Sequence, residues 1–174
     1  MKSRLTLPDV DRLNEDQQEV YRSIMATRGN LSGPFLAWMH SPELASHAEK
    51  LGAFCRYQTG FALVESELLI LLVAARFRCI GEQQIHEPIA EQAGLSAAHI
   101  ADIREGRPVS LAGARLTLIH ALAQELLENN RIGDQLYDEG IRALGTQGMV
   151  EMVGIVGYYS LVAMTLNAFE MKKA

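Results

Sequence analysis

Residues 65–88 read ESELLILLVAARFRCIGEQQIHEP, and the fold turns on how this stretch is arranged. From Leu68 to Ala75 every residue is apolar. A helix built from them has no polar face to offer water, so it belongs in the centre of a bundle or in a subunit interface. Were that helix to run straight on, Glu67 and Cys79 would lie about 18 Å apart at 1.5 Å per residue, and no chemistry could join them. Arg78-Cys79-Ile80-Gly81 instead reads as a break, with Gly81 unfavourable inside a helix. A reversal near residues 76–77 makes an antiparallel helical hairpin over 62–94. Residues equally far from the reversal then stand level, which sets Glu67 opposite His86.

Outward from the hairpin, the chain is written in helix signals. Residues 14–28 place Val20, Ile24 and Met25 at helical spacing and end before Gly29, forming an N-terminal extension and helix within 1–30. A loop and short helical turn follow, punctuated by Gly33-Pro34. Ser41 as N-cap with Pro42 at the first helical position predicts a helix over 42–58, closed by Gly60. After the hairpin, Gly94 reads as a C-terminal cap and Ser96 starts a short helix stopped by Gly106 and Pro108. Residues 111–130 are amphipathic, 132–144 form a helix ending at Gly145, and 149–171 are again apolar nearly all round. No alternating strand pattern or Asn-Gly hairpin competes. The expectation is one all-α domain over 1–174, a bundle of about seven or eight helices, with no linker long enough to divide it.

Two helices too apolar for one exposed face have a consequence. A chain of 174 residues can hide one at its centre. The second points to a homo-oligomer whose subunits share a core, with burial of both inside a monomer as the alternative.

The bulk composition narrows the function classes. Hydrophobic residues make up 48%, charged residues 21%, and the formal net charge is −5, which is globular and carries no basic footprint for nucleic acid. The polar start MKSRLTLPDVDRLNEDQQE is unlike a signal peptide, and the central apolar run is far short of a membrane span, so a cytoplasmic protein without membrane partners is expected. Cys55 and Cys79 form no CxxC pair, metal-finger spacing is absent, and a reducing compartment gives no reason to join them.

The candidate site lies on the hairpin. Glu82 and His86, at i and i+4, share a helix face. Cys79 stands one turn before Glu82, where the helix dipole would lower a thiol pKa. An imidazole between two carboxylates suits proton donation and acceptance near neutral pH. Two plainer readings stay open: a Glu-x-x-x-His pair is often a solvated helix face, and Glu67 near a helix start complements the dipole. Metal ligation by Glu67, Glu82 and His86 ranks below acid–base work, so neither metal nor cofactor is expected.

At these residues the chain resembles a known family. ELLILLVAARFRCIGEQQIHEPIAEQAGLSAAHI is similar to the core segment of the carboxymuconolactone decarboxylase family, whose superfamily also holds alkyl hydroperoxidase D. GPFLAWMHSPELASHAEKLG (33–52) and MVEMVGIVGYYSLVAMTLNAF (149–169) extend the likeness over most of the chain. The resemblance implies an all-helical fold assembled as a homotrimer or hexamer. In the peroxidase branch the motif is Glu, eleven residues, Cys-x-x-Cys, three residues, His, which falls on Glu67, Cys79, Glu82 and His86. The peroxidatic cysteine is thus replaced by Glu82, which can neither attack a peroxide nor form the disulfide. The pattern instead resembles the non-peroxidase members, implying cofactor-independent decarboxylation or a related lyase, isomerase or hydrolase step on a small organic acid or lactone in aromatic catabolism. His86 would be the proton donor, Glu67 its orienting partner and Glu82 a second acid–base group. An anionic substrate would need a compensating cation, for which Arg76, Arg78 or an arginine of another subunit stands available.

Trp38 and His40 with Arg76 and Tyr158 are the expected substrate-binding residues, although a Trp-Met pair is often plain core. His47, His99 and His120 read as surface or structural, and Asn167 as a buried polar contact without a catalytic role. Two other functions remain in view: a thiol-dependent peroxidase using Cys79 with an external thiol, and a non-catalytic ligand-binding oligomer.

Overall fold

The computed structural model describes residues 1–173. A short 3₁₀ turn, Val10–Arg12, precedes eight α-helices: α1 (Glu15–Arg28), α2 (Phe35–Trp38), α3 (Pro42–Tyr57), α4 (Leu63–Arg76), α5 (Ile80–Ala93), α6 (Ala97–Glu105), α7 (Ala114–Asn129) and α8 (Asp134–Ala168). Gly145 carries φ 71° and ψ 172° inside α8, so the last helix is two rods joined at a kink where the sequence places a helix end. Among the described residues the only β pairing is a single bridge between Lys2 and Lys172, which ties the two ends of the chain together.

Local chemistry explains most boundaries. Asn14 caps α1 by accepting from the Gln17 N–H at 2.9 Å, and Gln17 Oε1 accepts from the Asn14 N–H at 3.0 Å. Ser96 accepts from the His99 N–H at 3.1 Å to start α6. Ser41 occupies the cap position of α3 but its side chain makes no capping bond, so that start rests on the pre-set φ of Pro42.

α4 is the axis of the fold. Every residue from Glu65 to Ala74 is buried, and the helix packs against α5, α6, α7 and α8. Each buried Leu or Ile there contributes roughly 1.5–3 kcal/mol. The carboxylate at its start is compensated: Glu65 accepts from Arg115 Nε at 2.6 Å and from the Ala62 N–H at 2.9 Å. α8 divides differently. Met152, Ile155, Tyr158, Tyr159, Val162 and Leu166 face the core, while Val150, Val153 and Met164 stay exposed. It is long and apolar enough to cross a membrane by composition, yet most of its apolar window is buried within the fold, as befits a core helix.

The hairpin reverses at Phe77–Arg78–Cys79. Arg78 adopts φ 49°, a left-handed conformation costing a non-glycine residue roughly 1–2 kcal/mol. Closing bonds run from the Cys79 N–H to the Ala74 carbonyl at 2.8 Å and from the Arg78 N–H to the Ala75 carbonyl at 3.0 Å. Asn167 Nδ2 donates to the Phe77 carbonyl at 2.7 Å and holds the turn against α8. Gly81 is not the break that its type suggests. It lies in the first turn of α5 because a Cβ there would stand 2.6 Å from the Met171 carbonyl oxygen, where the C-terminal segment crosses. Pro88, inside α5, frees the Gln84 carbonyl, which accepts from Lys173 Nζ at 3.1 Å.

Candidate active site

Glu67 and His86 meet across the hairpin. His86 Nδ1 and Glu67 Oε2 are 2.7 Å apart, and both residues are at most 2% exposed. A carboxylate only accepts, so Nδ1 carries the hydrogen and donates it, leaving Nε2 to face the cavity. Glu82, one turn earlier on α5, places Oε2 3.5 Å from His86 Nε2. That oxygen is buried and has no hydrogen-bond partner. Burial raises the Glu82 carboxyl pKa, with Glu67 adding to the rise, while His86 and Arg56 act against it.

His86 and Glu82 border a cavity of about 250 Å³ lined also by Tyr158, Tyr159, Arg28 and Arg56, among others, while Glu67 stands behind the imidazole and outside the lining. An aromatic series backs it. Phe35 and Trp38 stand edge to face at 5.2 Å, Trp38 and Tyr158 at 6.3 Å, Tyr158 and Tyr159 at 5.3 Å, and Tyr159 and His86 at 5.4 Å. The perpendicular Tyr159 packs against the imidazole and adds to the hold that Glu67 has on it. Burial pushes both tyrosine hydroxyls far above their ordinary pKa, so they act as neutral donors or acceptors.

The cations come from elsewhere than expected. Arg76 and Arg78 line a separate cavity with Arg104 and His120, and Arg76 Nε donates to the Leu127 carbonyl at 3.1 Å. Arg28 and Arg56, from the last turns of α1 and α3, line the site instead. Burial pushes the Arg56 pKa down, but Tyr159, Tyr57 and Glu67 outweigh it and leave the pKa raised. The sequence holds no distinctive signal for either residue. An arginine near a helix C-terminus already has a reason to be there, because it complements the dipole.

The remaining expected residues scatter. Tyr158 lines the cavity. Trp38 does not; it is buried behind Tyr158, its Nε1 donating to Thr165 Oγ1 at 3.1 Å. His40 is exposed and its Nε2 lies 2.8 Å from the Thr6 carbonyl oxygen. Cys79 caps the start of α5 in full burial, outside the cavity. The dipole does not lower its pKa as position alone suggests. Burial wins and pushes the thiol up to about 11, despite backbone donors that favour the thiolate. Cys55 is pushed up to about 11 as well, by burial and by Glu151.

No protein-family model matches the chain, and no curated protein matches it in sequence. Its fold does have solved counterparts. An uncharacterized peroxidase-related protein from Ralstonia eutropha JMP134, described as an alkylhydroperoxidase AhpD core, superposes with TM-score 0.80 at 15% identity, covering 99% of this chain and 92% of that one. A peroxidase-related protein from Silicibacter sp. TM1040 gives TM-score 0.77 at 13% identity, covering 97% and 90%. The debrominase Bmp8 in its apo form gives 0.74 at 14%, covering 99% and 91%. The chain therefore has the all-helical alkylhydroperoxidase D-like fold.

Proposed function

We propose that this protein is an intracellular enzyme of carboxymuconolactone decarboxylase type, working by cofactor-independent acid–base chemistry on a small organic acid or lactone. The reading rests on one observation: His86 is held by Glu67 on one ring nitrogen and turned toward Glu82 and the cavity with the other. Decarboxylation makes the demands plain. As the C–C bond breaks, its electron pair stays on the substrate carbon and spreads into the lactone carbonyl while CO₂ departs. A proton must then reach that carbon. Protonated Glu82 passes its proton to Nε2 across the 3.5 Å gap, and His86 delivers it from Nε2 to the carbon while Glu67 holds the ring in line. Solvent water restores the proton on Glu82 for the next cycle. The raised pKa of Glu82 suits it to hold that proton. Arg56 offsets the two carboxylates, and Arg28 at the same cavity adds a second cation that makes an anionic substrate admissible.

Thiol peroxidase chemistry finds less support. It needs an accessible thiolate, and both thiols are buried with pKa values near 11. The test is turnover of a panel of small lactones and unsaturated acids by wild type and by His86→Ala. A loss above a hundredfold with the fold intact supports the reading; unchanged turnover removes it.

We also propose that the chain assembles into a homotrimer or hexamer through the outer face of α8. Val150, Val153 and Met164 are 67%, 49% and 51% exposed there. Gly154 and Gly157 lie among them with no atom near a Cβ built on either, so a second helix could approach closely.

A further inference from the structure

Arg28 has a donor edge with nothing to donate to. Its Nε and Nη2 are both buried and neither has an acceptor. These two atoms form the side of the guanidinium that grips both oxygens of a carboxylate at once. The protein uses that same side twice elsewhere. Arg104 donates from Nε and Nη2 to the two oxygens of Glu87, at 2.6 and 2.5 Å. Arg115 does so to Glu65, at 2.6 and 3.4 Å. Only at Arg28, among these three, is the carboxylate missing.

The orphan fork is built in, not loose. The guanidinium carbon stacks 4.7 Å over the Phe35 ring. Nη2 lies over Gly52 of α3, where a Cβ would stand 2.8 Å away and would also collide with the Tyr158 hydroxyl. The absent side chain at Gly52 is what lets Arg28 and Tyr158 share one cavity wall. The same cavity is lined by the residue that carries the second orphan, Glu82 Oε2, beside His86. Leaving buried polar atoms unpaired costs stability in the empty protein, and that cost is relieved by a ligand that satisfies both ends.

We infer that Arg28 is the recognition residue for a carboxylate carried by the substrate, with Tyr158 and Arg56 flanking it. The inference rests on the proposed acid–base reading for the other end of the cavity, where the reacting carbon meets His86 and Glu82. The carboxylate on Arg28 is a handle and is retained through the reaction. A carboxylate that departs as CO₂ loses its charge, so gripping it would stabilise the ground state over the transition state. The substrate is therefore a small molecule with one anchored carboxylate and a separate reacting group. Its uncharged amide analogue leaves the fork half satisfied and is rejected.

The test is calorimetric binding of acetate, benzoate and succinate, each against its amide, to wild type, Arg28→Gln, Arg28→Lys and His86→Asn. At least one carboxylate should bind wild type tenfold or more tightly than its amide. Arg28→Gln should abolish that preference, and Arg28→Lys should recover only part of it, since an ammonium cannot supply the planar fork. His86→Asn should keep the preference, because it leaves the handle untouched. Removing an unpaired guanidinium should leave the melting temperature of Arg28→Gln equal to or above that of wild type. A wild type that binds no carboxylate better than its amide overturns the inference, and that comparison needs no variant to fold. So does full carboxylate preference in Arg28→Gln. Normal turnover in His86→Ala would instead remove the acid–base reading and leave the carboxylate handle standing.

Discussion

His86 and Glu67 come from neighbouring helices nineteen positions apart, and they share a hydrogen bond of 2.7 Å in almost complete burial. The bond chooses the imidazole tautomer and aims Nε2 at the cavity, so its removal should separate orientation from binding. Glu67→Gln is expected to lower kcat by about 10²–10³-fold with KM within about threefold of wild type. Steady-state kinetics on any turned-over substrate checks this. A KM effect equal to the kcat effect would mean that Glu67 shapes the pocket rather than the proton transfer. Glu67→Ala should in addition lose roughly 3–5 kcal/mol of stability by leaving a buried group unpaired.

Glu82 gives a pH signature. Its folded-state pKa is raised, so the folded state binds the proton more tightly than the unfolded state, whose carboxyl titrates near 4.5. Stability from this group is therefore greatest below 4.5 and is lost as pH rises toward the folded-state value. Glu82→Gln keeps the shape and removes the charge. It should raise stability by about 1–2 kcal/mol at neutral pH, with the gain vanishing below about pH 4.5. Urea unfolding across pH checks it, and turnover should fall in the same variant.

Cys79 should behave as a structural thiol. With a pKa of about 11 it should alkylate slowly at pH 7.5, the rate climbing about tenfold per pH unit up to pH 10 while the fold persists. Cys79→Ser should retain more than half of the turnover. Mass spectrometry of iodoacetamide-treated protein reads the first expectation. Rapid labelling at neutral pH would restore thiol chemistry as a live mechanism.

The outer face of α8 predicts assembly. Val150→Glu with Val153→Glu places two charges on residues that are 67% and 49% exposed, so the isolated fold should tolerate them. Light scattering after gel filtration should show a trimer or hexamer for wild type and a monomer for the double variant. An oligomer untouched by both charges would place the interface elsewhere.

Gly52 tests the packing of the cavity wall. Gly52→Ala pushes a methyl group into the Tyr158 hydroxyl and Arg28 Nη2, and should cost about 1–3 kcal/mol. Thermal unfolding measures it.

How much of this the sequence held differs by element. The apolar run from Leu68 to Ala75 demanded a helix surrounded on all sides, in a bundle centre or a subunit interface, and α4 takes the first of these places. Gly29, Ser96 and Gly106 marked helix ends through cap chemistry that acts within one turn. The break read at Arg78–Gly81 placed the hairpin's reversal near residues 76–77, whereas the reversal falls on Phe77–Cys79, and the strain sits at Arg78 rather than Gly81.

The amino-acid sequence by itself determined where most helices start and stop and that the 68–75 helix must be surrounded, since each follows from period and caps. It offered the Glu67–His86 pairing only on the condition of a reversal near 76–77. Tertiary structure decided the rest. It brought Arg28 and Arg56 to the site while Arg76 and Arg78 line another cavity, and it closed Cys79 away from the cavity so that burial overrode the dipole. These outcomes depend on how distant helices rotate and pack, and a helix end on α1 or α3 carries no local mark of the cavity it will border.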